Sequence, residues 1–233
     1  MDKHTQNEII KIVQRNFEAI AKSSAKAEEK QIPALVAKLA EEVKPDYVLD
    51  IGCGSGQLFE LFKDKIKYLG IDNCAELLKI AKDKYKNNPN QPEFIINDIL
   101  NLTKIPQINF DHIFCISMLH YLPDRQLRVQ ALKQLKNKIK QDGQIIISVR
   151  NLWSQPRYRK LIFKFWILKL LKKNRMDFGD ILFDWKDPKV HIYTQRYYHA
   201  FTIKQLRQLA DLAGLKIKLL NKDQYNYCLV LSK

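Results

Sequence analysis

Glycine is scarce in this chain: there are seven in 233 residues, and three of them fall at positions 52, 54 and 56. Glycine takes positive φ without a Cβ penalty, so placing three in one turn points to close backbone approach by a ligand, beyond an ordinary strand-to-helix corner. Cysteine is scarce too. Cys53, Cys74, Cys115 and Cys228 are widely spaced with no C-x-x-C pair, which excludes a disulfide framework and a zinc site of the chain's own, and fits a reduced, cytoplasmic setting. No apolar run approaches the length of a membrane span, and the polar opening Met1 to Gln6 leads into a helix, unlike a signal peptide. Acid is nearly missing from residues 125 to 175, where fifteen Lys or Arg face only Asp142; that window carries +14 of the net +15. A basic face on so small a part of the chain is suited to a polyanion.

What is present is an α/β pattern. With 46 % hydrophobic residues the chain can bury a sizeable core as one domain. Helical spacing of Ile9, Ile10, Val13, Phe17 and Ile20, then of Leu35, Val36 and Leu39, predicts two helices before the first strand, the second ended by Pro45. Strands are expected at 47–51, 66–71, 94–98, 110–117, 144–149, 215–220 and 226–231, and helices at 75–86 and 125–140. Thr202-x-x-Gln205 is a capping box and Gly214 ends the helix it starts. Residues 150 to 195 interrupt the alternation. Within them Arg157 to Lys173 mixes large apolar residues with cations, and Lys169 and Lys173 swing away from the earlier charges, so a clean amphipathic membrane helix is not expected.

The strand Val48-Leu49-Asp50-Ile51 breaks directly into Gly52-Cys53-Gly54-Ser55-Gly56 and a short helix. Such a turn offers free N–H groups to a carboxylate or phosphate. Gln57 stands where a dinucleotide fingerprint needs its third glycine, so the spacing is G-x-G-x-G. Asp72 closes the second strand about twenty residues on, where a carboxylate accepts ribose hydroxyls. Together these residues resemble the class I S-adenosylmethionine-dependent methyltransferases. The resemblance implies an α/β, Rossmann-like fold: a seven-stranded, mostly parallel sheet, a C-terminal antiparallel hairpin, and a helical, basic insertion after the fifth strand. It divides the single domain into helices covering the cofactor (1–44), a cofactor-binding core (45–149), a substrate-side insertion (150–195) and the terminal helix and hairpin (196–233). It also implies S-adenosyl-L-methionine as cofactor, held by Asp50, Gly52, Cys53, Gly54, Gly56, Asp72, Asn73, Asp98, Ile99 and Ser117. Asp98 reads equally well as a turn or helix-cap aspartate.

A second resemblance is carried by Arg196-Tyr197-Tyr198-His199-Ala200-Phe201 with Asn226 to Leu231, by Phe17-x-x-Ile20-Ala21, by Arg125-x-x-Arg128-Val129, and by Gly179-Asp180-Ile181-Leu182 before Trp185. These pieces look like the tRNA wobble-uridine carboxyl methyltransferases, which esterify 5-carboxymethyluridine. The chain departs from that pattern at Ala27-Glu28, Tyr121, Leu122 and Asp184, where the family has Thr-Arg, His, Trp and Pro. The resemblance implies His120, Arg196, Tyr197 and His199 as the catalytic set and Arg125, Arg128 and Tyr198 as substrate-binding residues, to which the basic window adds Arg150, Lys160 and Lys164. It implies tRNA as partner, with a small zinc-binding activator protein, and no metal held by the chain itself. For His120 a satisfied core histidine remains open, and for Arg196 to His199 a junction of packed aromatics. A small-molecule or lipid-like methyltransferase with residues 150–195 as a lid, and a cofactor-binding regulator without turnover, are the other readings.

Overall fold

The period-two alternation of β-strands sorts the apolar side chains of this protein onto two faces of one sheet. In the computed structural model, which describes residues 1–23, 32–44, 47–62, 66–186 and 193–233, the chain runs α1 (Lys3–Ser23), α2 (Ala34–Glu41), β1 (Tyr47–Ile51), β2 (Lys67–Asp72), α3 (Ala75–Tyr85) and β3 (Glu93–Ile96). It continues with β4 (Phe110–Ile116), α4 (Arg125–Lys138), β5 (Ile139–Arg150), α5 (Pro156–Leu170), β6 (Asp180–Lys186), β7 (Tyr193–His199), α6 (Ile203–Ala213), β8 (Lys216–Lys222) and β9 (Asn226–Ser232). Pro45 and the stretch Ala25 to Lys30, including Ala27-Glu28, lie outside the described residues.

Leu49, Ile51, Ile113, Cys115, Ile145 and Ile147 face Leu132 and Leu135 of α4 and Leu206 and Leu209 of α6. Val48, Phe114, Ile116 and Ile146 face the other way, onto Val36 and Ala40 of α2 and Leu78 and Ala81 of α3. Both faces of the central strands are therefore buried, which is why their sequences read as nearly continuous apolar runs.

The seven-stranded sheet has the order β3-β2-β1-β4-β5-β9-β8. Its first five strands are parallel, with Ile51 level with Ile71 and Cys115, and β9 joins antiparallel to β5 and β8. The strand order reverses between β1 and β4, so a crevice opens beyond their carboxyl ends. Gly52, Asp72, Asp98, Ser117 and Arg150 all follow or end the parallel strands at that edge. The capping box of α6 forms as the sequence predicts, and Gly214 ends the helix at φ 68°.

Three local expectations are corrected. The helix after the glycine turn is a 3-10 turn, Gln57–Leu61, and Ile139 belongs to a longer β5 instead of to α4. Residues 150–195 hold more than a helix: β6 pairs antiparallel with β7, Ile181 opposite Tyr198 and Phe183 opposite Arg196. This second sheet lies between α1, through Ile9, Val13 and Tyr197, and α5, through Tyr158, Ile162 and Tyr198.

Candidate active site

Gly52, Gly54 and Gly56 adopt φ of 68°, 56° and 80°, the left-handed conformation that makes glycine the fitting residue at each. The turn is tied to β2, because the N–H groups of Gly52 and Cys53 both donate to the carbonyl of Ile71, at 2.8 and 3.0 Å. The Asp72 carboxylate then clamps the loop to the next helix. One oxygen accepts from Gly54 N and the other from Cys74 N, each at 2.9 Å. Gly56 is pressed from below, where a Cβ would come within 2.7 Å of the Tyr85 ring, and Tyr85 donates its hydroxyl to the Gly56 carbonyl. Gly54 is the opposite case, since a Cβ there would meet nothing within 4 Å. The loop thus presents an open face above Gly54 and a packed one beneath Gly56.

Asp98 caps the turn Ile99–Lys104 by accepting from Leu100 N at 2.8 Å, and the Asn73 amide lies 3.5 Å from its other oxygen. Asp50 is buried beneath the loop, accepting the Tyr68 hydroxyl at 2.6 Å. Burial and the neighbouring Asp50 push the Tyr68 phenol well above its ordinary value, so it stays a donor. The Cys53 and Ile99 side chains are also buried, so any cofactor contact there falls to the backbone. Ser117 sits half-buried at φ 53°, its N–H donating to the Ser148 carbonyl at 3.0 Å.

This arrangement fits S-adenosylmethionine. Open space over Gly54, a half-buried carboxylate whose oxygens have capacity for a further donor each, and the polar pair Asn73–Asp98 at the end of the next strand are what an adenosine with a charged amino-acid tail requires.

Beside it, beyond β4 and β5, lies a second cluster. Tyr198 is buried at its centre, with ring centroids 5.2 Å from His120, 5.4 Å from Tyr121, 6.1 Å from Tyr158 and 5.5 Å from Phe183. Phe17 of α1 closes one side at 4.9 Å from Tyr121. Three guanidinium groups converge here. Arg150 lies 5.9 Å from the Tyr198 centroid, Arg157 lies 5.7 Å from that of Tyr158, and Arg196 stacks 3.5 Å from that of Trp185. Burial pushes the Tyr121 and Tyr158 phenols up although these arginines pull them down. His120 is fully buried, its Nδ1 facing the Arg150 N–H at 3.5 Å.

The structure separates the residues expected to meet substrate into three groups. Arg150, Arg196, Tyr198 and His120 come together. Tyr197, His199 and Arg128 do not face an open pocket: all three meet the buried Asp180, whose Oδ1 lies 2.7 Å from the Tyr197 hydroxyl, 2.6 Å from His199 Nδ1 and 3.3 Å from Arg128 Nη2. Their expected substrate contacts are therefore corrected to an internal network that fixes β6 and β7 against α4. Arg125, Lys160 and Lys164 are exposed, Arg125 at the start of α4 and the two lysines on the outer side of α5. Arg157, Tyr158, Tyr121 and Trp185 were not picked out as site residues. For Arg157 and Tyr158 the signal is their place directly after Pro156, at the start of a helix rich in aromatics.

Residues 48–143 match a family model described as a methyltransferase domain. The chain is 27 % identical over 192 residues to the tRNA (carboxymethyluridine(34)-5-O)-methyltransferase of Schizosaccharomyces pombe, covering 79 % of this chain and 80 % of that one. It is 29 % identical to a probable tRNA methyltransferase 9B of Bos taurus, spanning 61 % of this chain but only 30 % of that protein. It is also 29 % identical to a ubiquinone biosynthesis O-methyltransferase of Coxiella burnetii, over 60 % of this chain and 58 % of that one. Among solved structures, an S-adenosylmethionine-dependent methyltransferase of Methanosarcina mazei superposes with a TM-score of 0.68 at 20 % identity, covering 88 % of this chain and 98 % of that one. A Burkholderia thailandensis 1,6-didemethyltoxoflavin-N1-methyltransferase with bound S-adenosylhomocysteine gives 0.68 at 14 %, covering 100 % and 91 %. At such identities the structures speak for the fold. Residues 48–143 thus carry a methyltransferase domain, and the sheet has the fold of solved S-adenosylmethionine-dependent methyltransferases. Within that class the chain resembles the tRNA wobble-uridine family.

Proposed function

We propose that this enzyme methylates a carboxylate, that of a carboxymethylated wobble uridine in tRNA, forming a methyl ester. The observation that carries the reading is the clustering of Arg150, Arg157 and Arg196 around Tyr121, Tyr158, Tyr198 and Trp185. Guanidinium groups bind carboxylates through paired, charge-assisted hydrogen bonds, and Trp185 holds the Arg196 fork in a fixed plane. The cofactor supplies an electrophilic methyl group on sulfur. A carboxylate needs no base to become a nucleophile, so His120 serves as a packed wall and the arginines align the acceptor oxygen, with positioning carrying the rate. The likeness to the Schizosaccharomyces pombe enzyme over most of both chains supports the same acceptor. Under this reading the partners are tRNA and, by family resemblance, a small zinc-binding activator.

Two measurements test it. After incubation with labelled cofactor, the label is expected in the RNA pool, not in protein or small molecules. The rate is expected to stay flat from about pH 6 to 9, because a carboxylate with a pKa near 4 is already ionised, whereas a phenol or amine acceptor gains rate as its proton leaves. Arg196→Ala is expected to lower kcat/KM about 10- to 150-fold, the loss of one charge-assisted hydrogen-bonded pair, while cofactor affinity holds. A steep rise through pH 8 with full Arg196→Ala activity points to another acceptor. The likeness to the ubiquinone O-methyltransferase favours a small-molecule or lipid-like acceptor as the alternative, with residues 150–195 as its lid.

A further inference from the structure

Helix α5 turns its apolar residues both ways. Tyr158, Leu161, Ile162 and Phe165 pack inward on the second sheet. Phe163, Trp166, Ile167 and Leu170, spaced i, i+3, i+4 and i+7, form a stripe along the opposite side that stands 46–58 % exposed. Leu171 and Phe178 extend it, the Phe178 ring lying 6.3 Å from that of Trp166. Contiguous exposed apolar surface of this kind marks an interaction site. The exposed cations Arg159, Lys160, Lys164, Lys172, Lys173 and Arg175 flank the stripe, and no acid occurs anywhere from Gly143 to Met176. The uneven placing of Lys169 and Lys173 that argues in sequence against an amphipathic helix is resolved here: Lys169 is half-buried with its Nζ toward the Arg175 carbonyl, and Lys173 lies beyond the end of the helix.

We propose that this face of α5 docks on an anionic phospholipid surface, lying in the interface plane. The apolar stripe enters the headgroup boundary with Trp166 at its edge, while the flanking lysines and arginines reach lipid phosphates and carboxylates. RNA fits less well, because it offers nothing to Ile167, Leu170 or Leu171, whereas an acyl boundary does. No helix among the described residues is long and apolar enough to cross a membrane, so contact is confined to the surface. Because the inner side of the same helix carries Tyr158, and Arg157 stands at its start, docking would bring the cluster around Tyr158 and Tyr198 next to the lipid. The inference stands apart from the identity of the acceptor.

Flotation of the full chain with phosphatidylcholine vesicles, with and without phosphatidylserine, tests it. Binding is expected only to the phosphatidylserine vesicles, weakening with salt, with tryptophan emission shifting to the blue. Lys172→Gln with Lys173→Gln should weaken partitioning about 25-fold, at roughly fivefold per cation. Ile167→Asp with Leu170→Asp should weaken it at least as much while S-adenosylhomocysteine affinity stays unchanged, both side chains being exposed. The proposal is overturned if phosphatidylserine vesicles fail to retain the protein at low salt, if the aspartate pair binds as the wild type does, or if the lysine pair weakens tRNA binding and leaves vesicle binding intact.

Discussion

Asp180→Ala is expected to lower the melting temperature by roughly 6–20 °C, the equivalent of about 3–5 kcal/mol in a chain of this length. The carboxylate is fully enclosed. Its Oδ1 meets Arg128, Tyr197 and His199, and its Oδ2 accepts the Asp177 N–H at 2.9 Å. Removing it strands a guanidinium that is 3 % exposed, leaving the Leu122 carbonyl, the Tyr197 hydroxyl and the Phe201 ring to meet it. Burial alone would push the Asp180 carboxyl up, but the His199 contact and the Arg128 charge hold it below its ordinary range. Burial and then Arg128 push His199 below its ordinary 6.5, so the imidazole stays neutral and donates to the carboxylate. Both groups therefore bind protons less readily folded than unfolded. The unfolded chain gains protons first as the pH falls below about 6.5, and stability drops with it. Calorimetry should show the wild-type melting temperature declining from pH 7 to 5. A flat wild-type profile, or an Asp180→Ala protein melting with the wild type, would contradict this account.

The central sheet was legible because burial on both faces leaves uninterrupted apolar strands, and Ile51, Ile71, Cys115 and Ile147 end up level as their sequences suggest. The β6–β7 pair was not. A strand with one wet face alternates, but Tyr197 and Tyr198 are adjacent and both are buried, one against α1 and the other against α5. No period-two pattern survives between two helices, so Arg196 to His199, within Tyr193–His199, read in sequence as a junction of packed aromatics.

Charge was legible as an amount and not as a direction. The basic window holds cations of three fates, and residue type does not tell them apart. Arg128 and Lys138 turn inward, Lys138 onto the carbonyls of Ile105 and Gln107. Arg150 and Arg157 join Arg196 across the second sheet, a contact between segments distant in sequence. Lys160 and Lys164 stay outside. Asp98 shows the same limit at a smaller scale: the helix-cap role open in the sequence is present, with the second oxygen beside the Asn73 amide.

Asp72→Ala is expected to weaken S-adenosylhomocysteine and S-adenosylmethionine binding about 10- to 150-fold, since a hydrogen bond to a charged group contributes roughly 1.5–3 kcal/mol. Two effects combine in that loss. The carboxylate is proposed to accept ribose hydroxyls, and it also holds Gly54 N and Cys74 N in line. The glycines separate them. Gly54→Ala keeps both backbone bonds and adds a methyl group to the open face, so it should cost affinity while changing stability by only about 1–2 kcal/mol, the strain of a left-handed alanine. Gly56→Ala drives a methyl group into the Tyr85 ring and should lower stability first, with affinity following the loop's distortion. Calorimetric titration of the three variants reads this order directly. If Asp72→Ala binds as the wild type does, the carboxylate serves the loop alone and the ribose lies elsewhere. If Gly54→Ala binds normally, the open space above the turn is not where the cofactor sits.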